Sequence, residues 1–171
     1  MRLVVLQIDN RLPEDMHAVS FGSATKDASM RVQFTFRNQE IIRKKGWVHD
    51  LRFTGDDDKP PWWWKVFAMR DPFHADPDPT SLLVLWMDTD AVLADCTGSC
   101  PIQLAVNDPT ACMWISPDEV PWRSPFNAGA FLIRGTATGQ RLLDDWCKLY
   151  DPRMWQEVAT VQLTDMHAVV F

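Results

Sequence analysis

Asp88 and Asp90 stand two residues apart, directly behind the most apolar run of the chain, Ser81-Leu82-Leu83-Val84-Leu85-Trp86-Met87. In an extended chain, positions i and i+2 point the same way, so both carboxylates are expected to face one point. Two unpaired carboxylates at the end of a buried strand are costly, and a neutralising cation is expected there. Mg²⁺ or Mn²⁺ suits a set of oxygen ligands and commonly shares its shell with substrate phosphates. Held on a diphosphate, such an ion stabilises the charge that develops as the diphosphate leaves. Asp-x-Asp alone is a weak signal, because two solvated aspartates at a strand end give the same text.

The remaining chemistry-bearing residues form no strong pattern. Cys96 and Cys100 have three residues between them, and Cys112 and Cys147 are isolated. A zinc site needs two close pairs or histidines at fixed spacing. Free thiols are expected, with a local Cys96–Cys100 disulfide, and hence an oxidising compartment, as the alternative. Asp56-Asp57-Asp58 reads as a solvated loop rather than a metal site. The nine Trp against one Tyr read mainly as packing, although flat indole faces also suit sugars.

The elements that must position Asp88 and Asp90 follow from the periodicity. Leu3–Ile8 reads as a buried strand closed by Asp9-Asn10, and residues 10–28 as loop. Ser29–Lys45 reads as a helix with a basic last turn, stopped by Gly46. Trp47–Phe53 alternates as a strand with Trp47, His49, Leu51 and Phe53 on one face. A loop leads through Pro60-Pro61 into a helix over Trp62–Arg70. Residues 71–80 read as a second Pro/Asp-rich loop before the central strand at 81–87. Strands are expected at Ala111–Ile115 and Ala128–Ile133. Thr136–Tyr150 reads as an amphipathic helix with Leu142, Leu143, Trp146 and Leu149 inward, and the tail from Pro152 has a helical pattern.

Strands alternating with helices predict an α/β sandwich with a mostly parallel central sheet in a single domain spanning residues 1–171. In such sheets ligands bind beyond the carboxyl ends of the strands, which is where Asp88 and Asp90 lie. The length, 171 residues, suffices for a full core. With 17 Lys and Arg against 23 Asp and Glu, the formal net charge is −6, and nucleic acid is not an expected partner. No apolar run reaches the roughly 18 residues of a membrane span, and the N-terminus turns polar too soon for a signal peptide.

Four segments in order carry a resemblance: Trp63-Trp64-Lys65-Val66-Phe67-Ala68-Met69-Arg70-Asp71, Leu85-Trp86-Met87-Asp88-Thr89-Asp90-Ala91-Val92, Phe126-Asn127-Ala128-Gly129-Ala130-Phe131-Leu132-Ile133-Arg134, and Leu142-Leu143-Asp144-Asp145-Trp146. Upstream, Asn38-Gln39-Glu40-Ile41-Ile42-Arg43-Lys44-Lys45-Gly46-Trp47 adds to it. Together they resemble the GT-A-fold (Rossmann-like) retaining glycosyltransferases, closest to the fungal α-galactosyl- and α-mannosyltransferases and plant xyloglucan xylosyltransferases. The resemblance covers about residues 3–8 and 29–158.

The resemblance implies transfer of a hexosyl or pentosyl group from a UDP- or GDP-sugar to a glycan or other hydroxyl, aided by Mn²⁺ or Mg²⁺, with retention at the anomeric carbon. It places Asp88 and Asp90 on the metal and diphosphate, and Asn127, Ala128 and Gly129 beside the donor sugar and acceptor. It makes Lys65 a donor to a phosphate or the nucleotide, against the plainer reading of a surface lysine. Gln156 and Glu157, in the Trp155-Gln156-Glu157 segment, become candidates near the reacting carbon, in altered order relative to the family. The family's third metal ligand is a downstream histidine, and the one histidine after Asp90 is His167. The chain also stops in mid-pattern at Val170-Phe171, so a shortened catalytic domain or a minimal member is expected. The compartment stays open between the cytoplasm and, with an N-terminal anchor removed, the Golgi lumen.

Two other readings compete. Asp88-Thr89-Asp90-Ala91-Val92 also fits the first motif of haloacid-dehalogenase-like phosphatases, with Asp88 as nucleophile and Asp90 as acid/base. That fold opens with this strand, whereas 87 residues precede Asp88 here. A sugar- or nucleotide-binding module without turnover is the second. Glycoside hydrolysis is disfavoured, because carboxylates two residues apart on one strand do not flank a sugar.

Overall fold

The computed structural model describes residues 1–10, 26–55, 58–94, 101–117 and 126–154. Its centre is a five-stranded sheet in the order β2-β1-β3-β5-β4. The strands are β1 (Arg2–Ile8), β2 (Val48–Arg52), β3 (Leu82–Met87), β4 (Met113–Ser116) and β5 (Asn127–Arg134). The helices are α1 (Lys26–Lys45), α2 (Pro61–Ala68), α3 (Asp71–Ala75), α4 (Pro101–Asn107) and α5 (Ala137–Lys148).

The sheet is mixed, which corrects the expectation of a mostly parallel one. β1 pairs parallel with β2 and β3, but β5 runs antiparallel to both β3 and β4. Periodicity reports which face a strand buries and is silent on direction, so the reversal of β5 had no signature in the hydrophobic pattern. It matters for the site. An antiparallel β5 begins where β3 ends, and its first residues meet the residues that follow Met87.

Alternation along the strands sorts the core into two layers. Leu6, Ile8, Val84, Trp86, Phe131 and Ile133 face Trp64, Ala68, Phe73 and Leu143 from α2, α3 and α5. Leu3, Val5, Leu83, Leu85 and Leu132 face Ile42 of α1 and Ala105 of α4. All six residues of β3 are buried, as a central strand covered on both faces requires. The chain passes from β1 through α1 to β2 on one side, then back past β1 through α2 to β3 on the other. Right-handed crossovers in opposite directions put α1 and α2 on opposite faces. The gap between the carboxyl ends of β1 and β3 is therefore the point where the strand order reverses, the usual ligand position in open α/β sheets.

Local signals set the helix ends. Gly46 takes φ +68° and ends α1. Its N–H donates to Arg43 O, and the Trp47 N–H donates to Ile42 O, the paired bonds of a glycine C-cap. Pro61 opens α2, where its missing N–H costs nothing. The Thr136 hydroxyl accepts from Gly139 N–H and caps α5. Four other readings need correction. α1 begins at Lys26 rather than Ser29. The stretch 71–80 is not all loop, because Pro72 is compatible with the first turn of α3. α4 forms over Pro101–Asn107, where the sequence reading expects no element. On α5 the inward stripe is Gly139, Leu143 and Cys147, with Leu142 and Leu149 exposed. Among the described residues no helix is long and apolar enough to cross a membrane.

Candidate active site

The reversal of β5 builds the site. Met87 pairs with Ala130, and one step beyond the ladder Asp88 N–H donates to Gly129 O at 2.8 Å. Gly129 N–H in turn donates to Asn127 Oδ1 at 2.7 Å. A Cβ on Gly129 would lie 2.9 Å from Asn127 Oδ1 and 3.3 Å from Asp88 Oδ2, so glycine lets the two strand ends approach.

Lys65 reaches this junction from α2. Its Nζ lies 3.2 Å from Asp88 Oδ1 and donates to Ala128 O at 3.0 Å. It also sits 5.3 Å from the centre of the Trp86 ring, whose Nε1–H donates to Asp88 Oδ1 at 2.8 Å. Its side chain is only 13 % exposed, so the surface-lysine reading does not hold. Lys65, Asp88 and Asn127–Gly129, separate in sequence, form one contact set.

Asp90 is placed differently from expectation. The chain leaves the extended form at Asp88, and Ala91 N–H donates to Asp88 O at 3.0 Å, closing a turn. The i, i+2 rule for strands no longer applies. Thr89 turns inward and is buried, where its hydroxyl bonds Asp9 Oδ2. Asp90 Oδ2 meets Arg31 Nη2 at 3.2 Å. Asp88 is thus held from the α2 side and Asp90 from the α1 side. The two carboxylates are not unpaired, since each has one oxygen against a basic side chain.

Each carboxylate keeps its other oxygen. Asp88 Oδ2 and Asp90 Oδ1 have no hydrogen-bond partner among the described residues, and the side chains are 38 % and 48 % exposed. Carboxylate oxygens are the ligand type that a hard divalent ion prefers, with its remaining ligands drawn from phosphate and water. Among the described residues, no group of three His, Cys, Asp or Glu could hold a metal ion. His167, Gln156, Glu157, Cys96, Cys100, Asp56 and Asp57 lie outside the described residues. Cys112 and Cys147 are free thiols.

The sequence reading missed a second set of polar residues. Gln7, fully buried on β1, accepts from His49 Nε2 at 2.9 Å and donates to Asp88 O at 3.4 Å. Burial pushes the His49 pKa below its ordinary value, against the opposing pull of Asp50. Arg31, Thr35 and Asn38 are buried on one side of α1. Their spacing of four and three places polar residues where an amphipathic helix would put apolar ones, and that was the available signal.

Beside the site, at the carboxyl ends of β1 and β2, a cleft of about 210 Å³ opens between Ile8, Arg52, Gly55, Trp64 and Asp71. A shallower one of about 380 Å³ lies over Arg70, Asp144, Cys147 and Lys148, between α2 and α5. Its lining includes none of Lys65, Asp88, Asp90 and Asn127–Gly129.

No protein-family model matches the chain, and no curated protein matches it. Among solved structures, a glycosyltransferase involved in the glycosylation of the major capsid of PBCV-1 superposes with a TM-score of 0.60. The chain shares its fold with a glycosyltransferase. The superposition covers 84 % of this chain and 64 % of that one, at 12 % identity. The likeness is therefore one of fold, over less than two-thirds of the other protein.

Proposed function

We propose that this chain is a glycosyltransferase that moves a hexosyl or pentosyl group from a UDP- or GDP-sugar to a glycan or other hydroxyl acceptor. The observation that carries the reading is the convergence of Lys65, Asp88 and Asn127–Gly129 at the carboxyl end of β3. The glycosyltransferase fold of the structural neighbour supports it. So does the point where the strand order reverses, which puts a ligand crevice at the same place.

In this reading the Asp88 and Asp90 carboxylates hold Mn²⁺ or Mg²⁺ against the donor diphosphate. When bound, the ion neutralises charge that develops on the leaving diphosphate. The Lys65 ammonium supplies a fixed positive charge beside it. The Asn127 amide offers a donor and an acceptor to sugar hydroxyls, and Gly129 lets backbone and sugar approach. The nearby cleft presents Trp64 and Ile8 as an apolar wall for the base. Resemblance to the retaining family adds front-face attack by the acceptor hydroxyl. Its proton passes to the departing diphosphate oxygen, and the product is α-linked for an α-linked donor. Gln156, Glu157 and His167 are proposed partners in this chemistry.

Thermal scans with UDP and with GDP, with and without Mn²⁺, test the reading on the wild type and on Asp88→Ala/Asp90→Ala. Ligand at a hundredfold excess over Kd stabilises by about 2.7 kcal/mol, a shift that is readily seen. A metal-dependent shift lost in the double variant supports the donor site. Nucleotide binding without sugar transfer from any donor would point to a binding module. No shift with either nucleotide, together with hydrolysis of a generic phosphate ester, would favour the phosphatase reading.

A further inference from the structure

The turn that carries Asp90 is gripped from α1 at two points. Asn38, fully buried, uses both ends of its amide. Nδ2 donates to Ala91 O at 3.0 Å, and Oδ1 accepts from Leu93 N–H at 2.8 Å. This mimics one rung of a strand pairing and fixes the backbone that leaves the turn. Seven residues earlier on the same side of the helix, Arg31 spreads its guanidinium over partners that include Thr89, Asp9 and Asp90 among the described residues. Nη1 donates to Thr89 Oγ1 at 3.1 Å and lies 3.4 Å from Asp9 Oδ2, while Nη2 lies 3.2 Å from Asp90 Oδ2.

We propose that Arg31 and Asn38 are positioning residues, a two-point clamp that aims Asp90 and so sets the affinity of the site for a metal-bound nucleoside diphosphate. The inference rests on the donor-site reading given above. Its physical basis is the contrast in exposure. The Asp90 side chain is 48 % exposed and, left alone, would spread over several rotamers, whereas the Arg31 side chain is 7 % exposed and rigidly seated. Holding Oδ2 leaves Oδ1 as the oxygen offered to a ligand. The planar fork is what allows one residue to reach both branches, and a lysine with a single nitrogen cannot. Asp9, only 2 % exposed, lies 3.4 Å from the same guanidinium, so Arg31 is anchored from the buried side as well as at Asp90.

The test titrates UDP and GDP in the presence of Mn²⁺ into the full chain, by calorimetry, and follows free Mn²⁺ by electron paramagnetic resonance. Arg31→Lys keeps the charge beside buried Asp9 but loses the reach to Asp90. It is expected to melt near the wild type and to bind about tenfold more weakly, the scale of one partly exposed charge-assisted hydrogen bond. Asn38→Ser, which leaves the Arg31–Asp9 pair intact, is expected to weaken binding in the same way, and it carries the test if Arg31→Lys does not fold. In an Asp90→Asn background, Arg31→Lys should cause no further loss. Wild-type affinity in both variants, or losses that multiply in the double variant, would overturn the clamp. Absence of nucleotide binding to the wild type would instead overturn the donor-site reading, and the clamp with it.

Discussion

Gly129→Ala separates the geometry of the site from the stability of the fold. Gly46 is the one glycine with positive φ among the described residues, so Gly129 has a backbone conformation that alanine can adopt. Stiffening the unfolded chain by this change is worth about 0.4–1 kcal/mol in favour of folding. Against that, the new Cβ would stand 2.9 Å from Asn127 Oδ1 and 3.3 Å from Asp88 Oδ2. Asn127 is exposed, and its carbonyl is the far end of a flexible side chain, so relief comes from that side chain rather than from the backbone. Doing so gives up the 2.7 Å bond from Gly129 N–H. Such a bond contributes about 0.5–1.5 kcal/mol. The two terms nearly cancel, and the melting temperature should move by no more than about 4 °C for a chain of this size. Binding should not be spared, because the Asn127 amide is released and Asp88 Oδ2 is crowded. A tenfold or greater loss of affinity for UDP or GDP with Mn²⁺, about 1.4 kcal/mol, is expected in calorimetric titration. A variant that melts more than about 10 °C lower would refute the claim that Asn127 yields to the Cβ. Unchanged affinity would refute the placement of this loop in the donor site.

Helix propensity alone predicts that Gly139→Ala stabilises α5 by about 1 kcal/mol. The structure predicts the reverse, because the Cβ would meet the Arg134 backbone oxygen at 1.9 Å, and a net loss of about 2 kcal/mol or more in urea unfolding is expected. Arg134→Met should cost about 2–3 kcal/mol in the same assay. The guanidinium donates to the carbonyls of Ala105, Asp108 and Pro109 and so closes the end of α4 against β5. Burial lowers the folded-state pKa of His49 below the ordinary 6.5. The unfolded chain therefore binds more protons than the folded one as pH falls below about 6.5, and stability should drop through that window. Melting curves from pH 7.5 to 5 should show a shallower fall for His49→Gln, and equal slopes would remove His49 as the cause.

The elements around the site were largely legible because their signals are local. Six consecutive apolar residues before Asp88, too few for a typical helix, read as a buried strand, and β3 is buried throughout. A basic turn followed by Gly46 ends a helix whatever surrounds it, and α1 ends there. Thr136 caps α5 through a bond three residues away. The inward face of α5 departs from the sequence reading at Leu142 and Leu149, because the period marks a stripe and only the layer opposite decides which part of it is buried. α4 is not legible in the sequence, since its seven residues bury only Ala105 and carry almost no periodic signal.

What the sequence determined by itself was the inventory: the strand that delivers Asp88, the helix that carries Lys65, the Asn127-Ala128-Gly129 entry to a later strand, and their order. Each is written in a short window, where hydrophobic period and capping chemistry act between neighbours. Only the tertiary structure decided that β5 runs antiparallel to β3, which joins Asp88 to Gly129. It likewise decided that Lys65 closes on Asp88 and that Arg31 and Asn38 hold the turn after it. These contacts span 23 to 59 residues of chain. Strand direction and buried polar pairing at that range are chosen by the packing of whole layers, in which every buried donor must find its acceptor, and no local pattern records the outcome.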